Sequence, residues 1–396
     1  MLRYGASTSL SPYSARTGLV MSTLLPTIPS DARLYLKPIW FVPTPIGQPD
    51  GSTARMGNGL IWFQGYELSA FDGARRITRV TVPVADFDAS IAALPEPLAQ
   101  RAQQLAANIS AQRAPLVLGD RTIRFDAPQV MAILNVTPDS FSDGGKHVGD
   151  PQAAADVGFA MAAAGAALID VGGESTRPKA AKVWEGDEIA RIAPVIERLA
   201  AAGVSVSVDT RKAAVMEAAL AVGARIINDV SALAHDPRSL EVVATAGCPV
   251  ILMHAPSAGD DPHENAAGYG DVVADVFDHL EARIAACEAA GIARANIMVD
   301  PGLGFGKSLA DNLALVNGLA TFQALGVPLL FAGSRKRLIG ALSNEAPAAD
   351  RLGGSVALAF RAAQHGAQMV RVHDVKESVQ ALHLWRGLAD AGLSAV

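Results

Sequence analysis

VSVSVDTRKAAVMEAALAVGARIINDV, residues 204–230, decides the fold. A short apolar run, Val204–Val208, ends in Asp209. An Ala-rich stretch with helical periodicity follows, and a second run, Arg225–Ile227, leads into Asn228 and Asp229. Strand alternating with helix implies parallel strands joined by crossovers. The unit recurs on both sides. Runs at Val130–Leu134, Ala167–Ile169, Val250–Met253, Ile297–Val299, Leu329–Phe331 and Met369–Val370 lead into Asn135, Asp170, His254, Asp300, Ser334 to Arg337, and Arg371 with His373. Eight such units predict a (β/α)8 TIM barrel, α/β in class, with its chemistry at the strand C-terminal ends.

The chain has 396 residues, more than a barrel of about 250 needs. Residues 1–30 are expected to be a disordered extension, 31–115 a small α+β N-terminal region, and 116–396 the barrel with its own N-terminal hairpin. Met1 to Val20 carries Arg3 and Arg16 and no acidic residue, weakly like a transit peptide. A disordered extension or an upstream start codon before Met21 is preferred to a targeting signal. Leu34–Val42, Leu60–Phe63 and Arg76–Val82 read as strands, and Pro95 to Ala111 as a helix. Leu116–Leu118 and Thr122–Phe125 flank Gly119-Asp120-Arg121, a tight hairpin that suits the barrel's lower end. Four of five tyrosines precede residue 70, and packing accounts for them better than chemistry does.

Composition excludes some classes. A net charge of −6 argues against a general nucleic-acid binder. No run reaches the roughly 18 apolar residues of a membrane helix. Cys248 and Cys287 form no zinc spacing and read as free core thiols of a reducing cytosol.

The loops carry the chemistry. Asn135 opens a long polar loop, through Gly145, able to close over a substrate; its neutral oxygen suits Mg2+. In the second loop Thr176 and Arg177 suit phosphate, although Arg177 can instead pair with Glu174. Asp209, Asn228 and Asp300 arrive on separate strands. They suit the amidine-like edge of a planar heterocycle, with a metal or helix caps as the alternatives. Gly302 to Ser308 resembles a phosphate-binding loop, but Pro301 stands where its first glycine is required, so the segment is read as a flexible loop presenting Phe305. Ser334 to Arg337 opens a helix with three cations and reads as an anion site. Arg371 and His373 share one strand face; both suit phosphate, and the guanidinium also suits stacking on a ring. His254 is ambiguous. His147, His235, His263, His279, His365 and His383 are expected to be structural or surface residues.

Together these segments resemble the dihydropteroate synthase family. ILNVTPDSFSDGG at 133–145 carries most of the likeness, with DVGGESTRP at 170–178, SVDT at 207–210, INDV at 227–230, DPGLGFGKS at 300–308, GSRKR at 333–337 and RVHDV at 371–375, in the family's order. The resemblance implies condensation of 6-hydroxymethyl-7,8-dihydropterin pyrophosphate with p-aminobenzoate, giving 7,8-dihydropteroate and pyrophosphate. It implies catalytic roles for Asp209, Asp300 and Lys336. Asp209, Asn228, Asp300, Lys336 and Thr176 would contact the pterin, with Met253 and Arg177 also lining the substrate site. Arg371 would stack on the pterin and, with His373, hold phosphate; Asn135 would help bind Mg2+. Phe141, Pro178, Phe305 and Arg337 would frame p-aminobenzoate, with sulfonamides as competitors. A cytoplasmic homodimer is implied too, with no membrane or nucleic-acid partner.

The chain departs from the family pattern in places. Lys179 stands where glycine is common, Arg337 where serine is common, and Ala255-Pro256-Ser257 replaces a Gln-containing segment. A pterin-dependent methyltransferase and a non-catalytic pterin-binding paralogue are the competing readings. Methyl transfer would mark the first, and binding without turnover the second.

Overall fold

The computed structural model describes residues 27–137, 150–177 and 180–394. Phe141, Pro178, Lys179 and His147 lie outside the described residues.

The N-terminal region contains β1 (Arg33–Val42), β2 (Ala54–Arg55), β3 (Trp62–Asp72) and β4 (Arg75–Pro83), then α1 (Phe87–Ile91) and α2 (Glu96–Ser110). β3 is the central antiparallel strand, paired with the other three. It continues well past Phe63, the end expected from sequence, because Tyr66, Leu68 and Ala70 alternate inward with polar residues outward. The hairpin β5 (Leu116–Leu118) and β6 (Arg121–Ile123) follows, turning at Gly119 with a φ of +68°.

The barrel comprises β7 (Gln129–Asn135), α3 (Pro151–Ala163), β8 (Leu168–Gly172), α4 (Glu185–Ala201), β9 (Val206–Asp209), α5 (Ala213–Ala221), β10 (Ile226–Asp229) and α6 (Ser239–Ala246). It continues with β11 (Val250–Met253), α7 (Val272–Ala289), β12 (Ile297–Asp300), α8 (Leu309–Asn317), β13 (Leu330–Phe331), α9 (Arg337–Ala341), α10 (Leu352–Gln364), β14 (Met369–Val372) and α11 (Val375–Ser394). The sheet runs β12-β11-β10-β9-β8-β7-β14-β13. A parallel bridge between Val299 and Leu329 brings its two ends together. The ring is thus an eight-stranded parallel barrel, as the sequence predicts.

Local chemistry explains the helix starts. Asp271 caps α7, its side chain accepting from the Ala274 amide at 3.1 Å. Ser308 and Asp311 form a reciprocal capping box on α8. Ile192, Val195, Ile196 and Leu199 give α4 its buried face.

Two packing features frame the site. Leu116, Leu118 and Ile123 of the hairpin share one apolar cluster with Met131, Leu168, Ile226, Ile251, Met298, Leu330 and Met369. The hairpin therefore plugs the barrel end opposite the chemistry. The N-terminal sheet packs on α7: Tyr35 donates to Asp278 at 2.7 Å and its ring meets Phe277 edge-on, while Arg101 pairs with Glu281 through two bonds of 2.7 and 2.9 Å. Tyr35, Phe63, Tyr66 and Phe71 belong to a core shared with the barrel, while Tyr4 and Tyr13 lie outside the described residues.

Candidate active site

Strand register sets the site. Asn135 pairs with Gly172, Gly172 with Asp209, and Asp209 with Asn228, so these strand ends lie side by side. Met253 and Asp300 are likewise paired neighbours. Gly172 lies between them: a β-carbon there would stand in ordinary contact, 3.5 Å from the Asp209 β-carbon and 3.6 Å from the Asn135 side-chain oxygen.

A polar network crosses this row. Arg371 donates through Nε to Asp170 Oδ2 and through Nη2 to Asp209 Oδ2, each at 2.6 Å. Asn228 Nδ2 also donates to Asp170 Oδ2, at 3.0 Å. The other Asp170 oxygen is buried without a hydrogen-bond partner. Burial works against the Arg371 charge, yet Asp170 and Asp209 hold its pKa above the ordinary value. Burial pushes the Asp209 carboxyl up to about 7, against the pull of Arg371.

Asp300 is 3% exposed and accepts the Gly302 amide at 2.7 Å. Its carboxyl is raised by burial and drawn back by that bond, Lys336, Arg371 and Lys307. Burial lowers the Lys336 ammonium to about 8, with Asp300 opposing. Lys336 Nζ stands 4.6 Å from the Phe305 ring centroid, within cation–π range. Gly304, with a φ of +85°, leaves room for the Lys336 stem. Phe305 itself packs with Val230, Met253 and Ala255 in an apolar patch. The result is a carboxylate- and amide-lined floor beside one aromatic wall.

The β13–β14 side differs from the sequence reading. Arg335 pairs with Asp374 instead of joining an anion cluster; its Nε donates at 3.1 Å and its Nη2 also bonds that carboxylate. Its φ of +56° is left-handed, held by Ser355 on its amide and by Arg351 on its carbonyl, both at 2.9 Å. Arg337 is exposed, on a helix of only five residues. Of the three cations, Lys336 alone faces Asp300 and Phe305. His373 meets Ser334 Oγ through Nδ1 at 3.0 Å. Burial, with Arg335 and Arg371, lowers its pKa to about 4, so its ring is neutral at pH 7.

In the second loop, Glu174 pairs with Lys212 at 3.2 Å and accepts the Val183 amide at 3.0 Å, which replaces the Arg177–Glu174 pairing considered from sequence. Ser175, Thr176 and Arg177 line a cleft of about 150 Å3 together with Lys182, Arg211 and Asp260.

The barrel is that of known proteins. A family model for pterin binding enzymes matches residues 131–373. The dihydropteroate synthase of Escherichia coli K12 is 47% identical over 269 residues, covering 68% of this chain and 93% of that protein. The chain belongs to the dihydropteroate synthase family. A Xanthomonas albilineans dihydropteroate synthase structure with 4-aminobenzoic acid superposes with a TM-score of 0.66 at 47% identity, covering 70% of this chain and 98% of that one. A Yersinia pestis dihydropteroate synthase in a sulfonamide drug complex gives 0.65 at 44%, covering 70% and 99%.

Three residues at this dihydropteroate synthase fold's site were missed or misjudged in sequence. Asp170, seen only as a strand end, lies within β8 and anchors Arg371 and Asn228. Lys307, set aside with the rejected phosphate loop, donates to the Gly302 and Phe305 carbonyls at 2.9 and 3.1 Å and meets His254 Nδ1 at 3.0 Å. His263, read as structural or surface, stacks on Phe305. The remaining ambiguity over His254 resolves the same way: buried at the rim, it is lowered to about 2 by burial, Lys307 and His279, and stays neutral.

Proposed function

We propose that this chain is a dihydropteroate synthase, joining 6-hydroxymethyl-7,8-dihydropterin pyrophosphate to p-aminobenzoate with release of pyrophosphate. The observation carrying this reading is the row of Asp209, Asn228 and Asp300 on paired strand ends, with Lys336 and Phe305 at its edge. Carboxylates and an amide match the donor and acceptor edge of a pterin. Arg371, with Nε and Nη2 engaged by Asp170 and Asp209, keeps its face for stacking on the ring and Nη1 for phosphate.

The substitution is dissociative on this reading. Departure of pyrophosphate leaves positive charge on a methylene conjugated to the pterin, and the Asp209 and Asp300 carboxylates offset it. Lys336, beside Asp300 and Phe305, contacts the pterin. Thr176, Arg177, Arg371 and His373 hold phosphate or pterin, while Phe141, Pro178, Phe305 and Arg337 frame the arylamine. Its nitrogen then attacks the methylene, and no covalent nucleophile is required.

Among the described residues no group of three acidic, His or Cys side chains could hold a metal ion. Asn135, one neutral oxygen at a strand end, fits a Mg2+ whose other ligands are pyrophosphate and water, a common manner for this ion. When bound, Mg2+ supplies charge neutralisation to the leaving group.

Residues 31–115 act on this reading as a region docked on the barrel, and 116–396 carry the reaction. Unpaired Cys248 and Cys287 suit a reducing cytoplasm, and the family resemblance suggests a homodimer. No helix among the described residues is long and apolar enough to cross a membrane.

The test is pyrophosphate release from dihydropterin pyrophosphate and Mg2+, with and without p-aminobenzoate. Release that requires the arylamine, yields dihydropteroate and is relieved of sulfonamide inhibition by excess arylamine supports the reading. Substrate binding without release sinks it.

A further inference from the structure

His263 joins three loops that reach the site from three different strands. Its Nε2 lies 2.8 Å from the Thr176 carbonyl oxygen in the loop after β8. Its ring lies parallel to Phe305 in the loop after β12, with centroids 4.7 Å apart and planes 9° apart. The Gly306 amide points at its Nδ1 from 3.4 Å. These contacts fit one neutral tautomer, with the proton on Nε2 donated to Thr176 and Nδ1 left as acceptor.

The backbone around it is fastened as well. The His263 amide donates to Asp261 at 2.8 Å, and Asn265 Nδ2 donates to the Gly306 carbonyl at 3.0 Å. Gly306, with a φ of +54°, permits the close approach; a β-carbon there would stand 2.7 Å from the His263 carbonyl oxygen. The side chain is therefore a clasp on loops that carry Thr176 and Phe305. The pterin groups Asp209, Asn228 and Asp300 sit on strands, so of the residues assigned to the pterin only Thr176 is held by the clasp.

We propose that His263 is a positioning residue for the arylamine: it sets the pitch of Phe305 and ties that ring to the Thr176 loop. This rests on the reading of the chain as a dihydropteroate synthase. An arylamine lying against Phe305 meets a preset wall only while the clasp is closed, and loop ordering otherwise falls on the binding step. Loss of the clasp should then raise KM for p-aminobenzoate selectively.

The experiment is steady-state kinetics of the full chain and three variants, each matched by a thermal melt. His263→Ala loses stack and hydrogen bond, His263→Phe keeps the stack, and His263→Gln keeps a donor. The expected result is a KM for p-aminobenzoate raised about five- to tenfold in His263→Ala, the scale of one lost hydrogen bond. The Phe and Gln variants should fall between, with kcat within about twofold of the unchanged chain and the KM for pterin pyrophosphate, whose site shares only Thr176 with the clasp, shifted less than that for p-aminobenzoate. If His263→Ala does not fold, His263→Phe carries the test. Unchanged p-aminobenzoate KM, or a parallel shift in both KM values and kcat, overturns the proposal while the functional reading stands. No dihydropteroate from the unchanged chain overturns both.

Discussion

Arg371 and Asp170, on β14 and β8, are joined at 2.6 Å, and the same guanidinium reaches Asp209 on β9. Asp170 is completely buried. One cation thus bridges two carboxylates from adjacent strands, and neither acid is left unpaired in the barrel mouth. The bridge uses the Nε and Nη2 edge of the guanidinium.

That geometry predicts that Arg371→Lys is not conservative. An ammonium keeps the charge but lacks the planar fork that spans two acceptors. Losing one charged hydrogen bond corresponds to about 1.5–3 kcal/mol, or roughly ten- to over a hundredfold in kcat/KM for the pterin pyrophosphate. Steady-state kinetics with a melting curve as folding control checks it. A variant within threefold of the unchanged chain would remove the bridge from the mechanism.

Asp300→Asn should weaken pterin binding. The carboxylate already accepts the Gly302 amide and is the acid whose charge acts most strongly on Lys336. Replacing a charged acceptor by an amide puts N–H groups where acceptors are needed, at a cost of about 1.5–3 kcal/mol. Calorimetry with the pterin pyrophosphate measures it directly, and equal affinity for both chains contradicts the assignment.

Lys336 gives a pH dependence. Burial lowers its ammonium to about 8 in the free protein, so the charge it brings to the site is lost as pH rises past that value. Since kcat/KM reports ionisations of the free enzyme, it should fall on the alkaline side with a midpoint near 8. Lys336→Arg should flatten that limb, because a guanidinium keeps its proton. An alkaline limb that is the same in both chains assigns the ionisation elsewhere.

The barrel was legible because each strand is a short apolar run ending in a polar residue, and that pattern needs no knowledge of neighbours. Asp209, Asn228 and Asp300 were legible for the same reason. Asp170 was visible yet misjudged: β8 runs two residues past it, so it points among other buried groups instead of ending the strand. Arg335 looked like part of a basic cluster. Its left-handed backbone and Asp374, distant in sequence, turn it away. His263 carried no local signal at all, because its partners Thr176 and Phe305 sit on other loops. Pairings between loops are set by the closed ring, and a linear pattern does not contain them.

Lys307 offers the last prediction, on stability. Its ammonium fastens the Gly302–Phe305 turn through two carbonyls and His254. Lys307→Met fills similar space but leaves those carbonyls without their donor, so it should destabilise by about 1–3 kcal/mol. The difference should also vary with pH. Burial lowers the Lys307 pKa from 10.5 to about 7. Between those values the unfolded chain binds more protons than the folded one, so raising pH favours the native state. This contribution is complete above about pH 10.5 and lost as pH falls through 7. His254 and His279, held down to about 2 and about 4, stay neutral throughout and do not confuse the comparison. Urea unfolding of both chains at neutral and at moderately alkaline pH should show the unchanged chain's advantage growing with pH. An advantage that stays constant would mean that Lys307 titrates at its ordinary value in the folded chain, and no advantage at all would mean that the turn is held by other contacts.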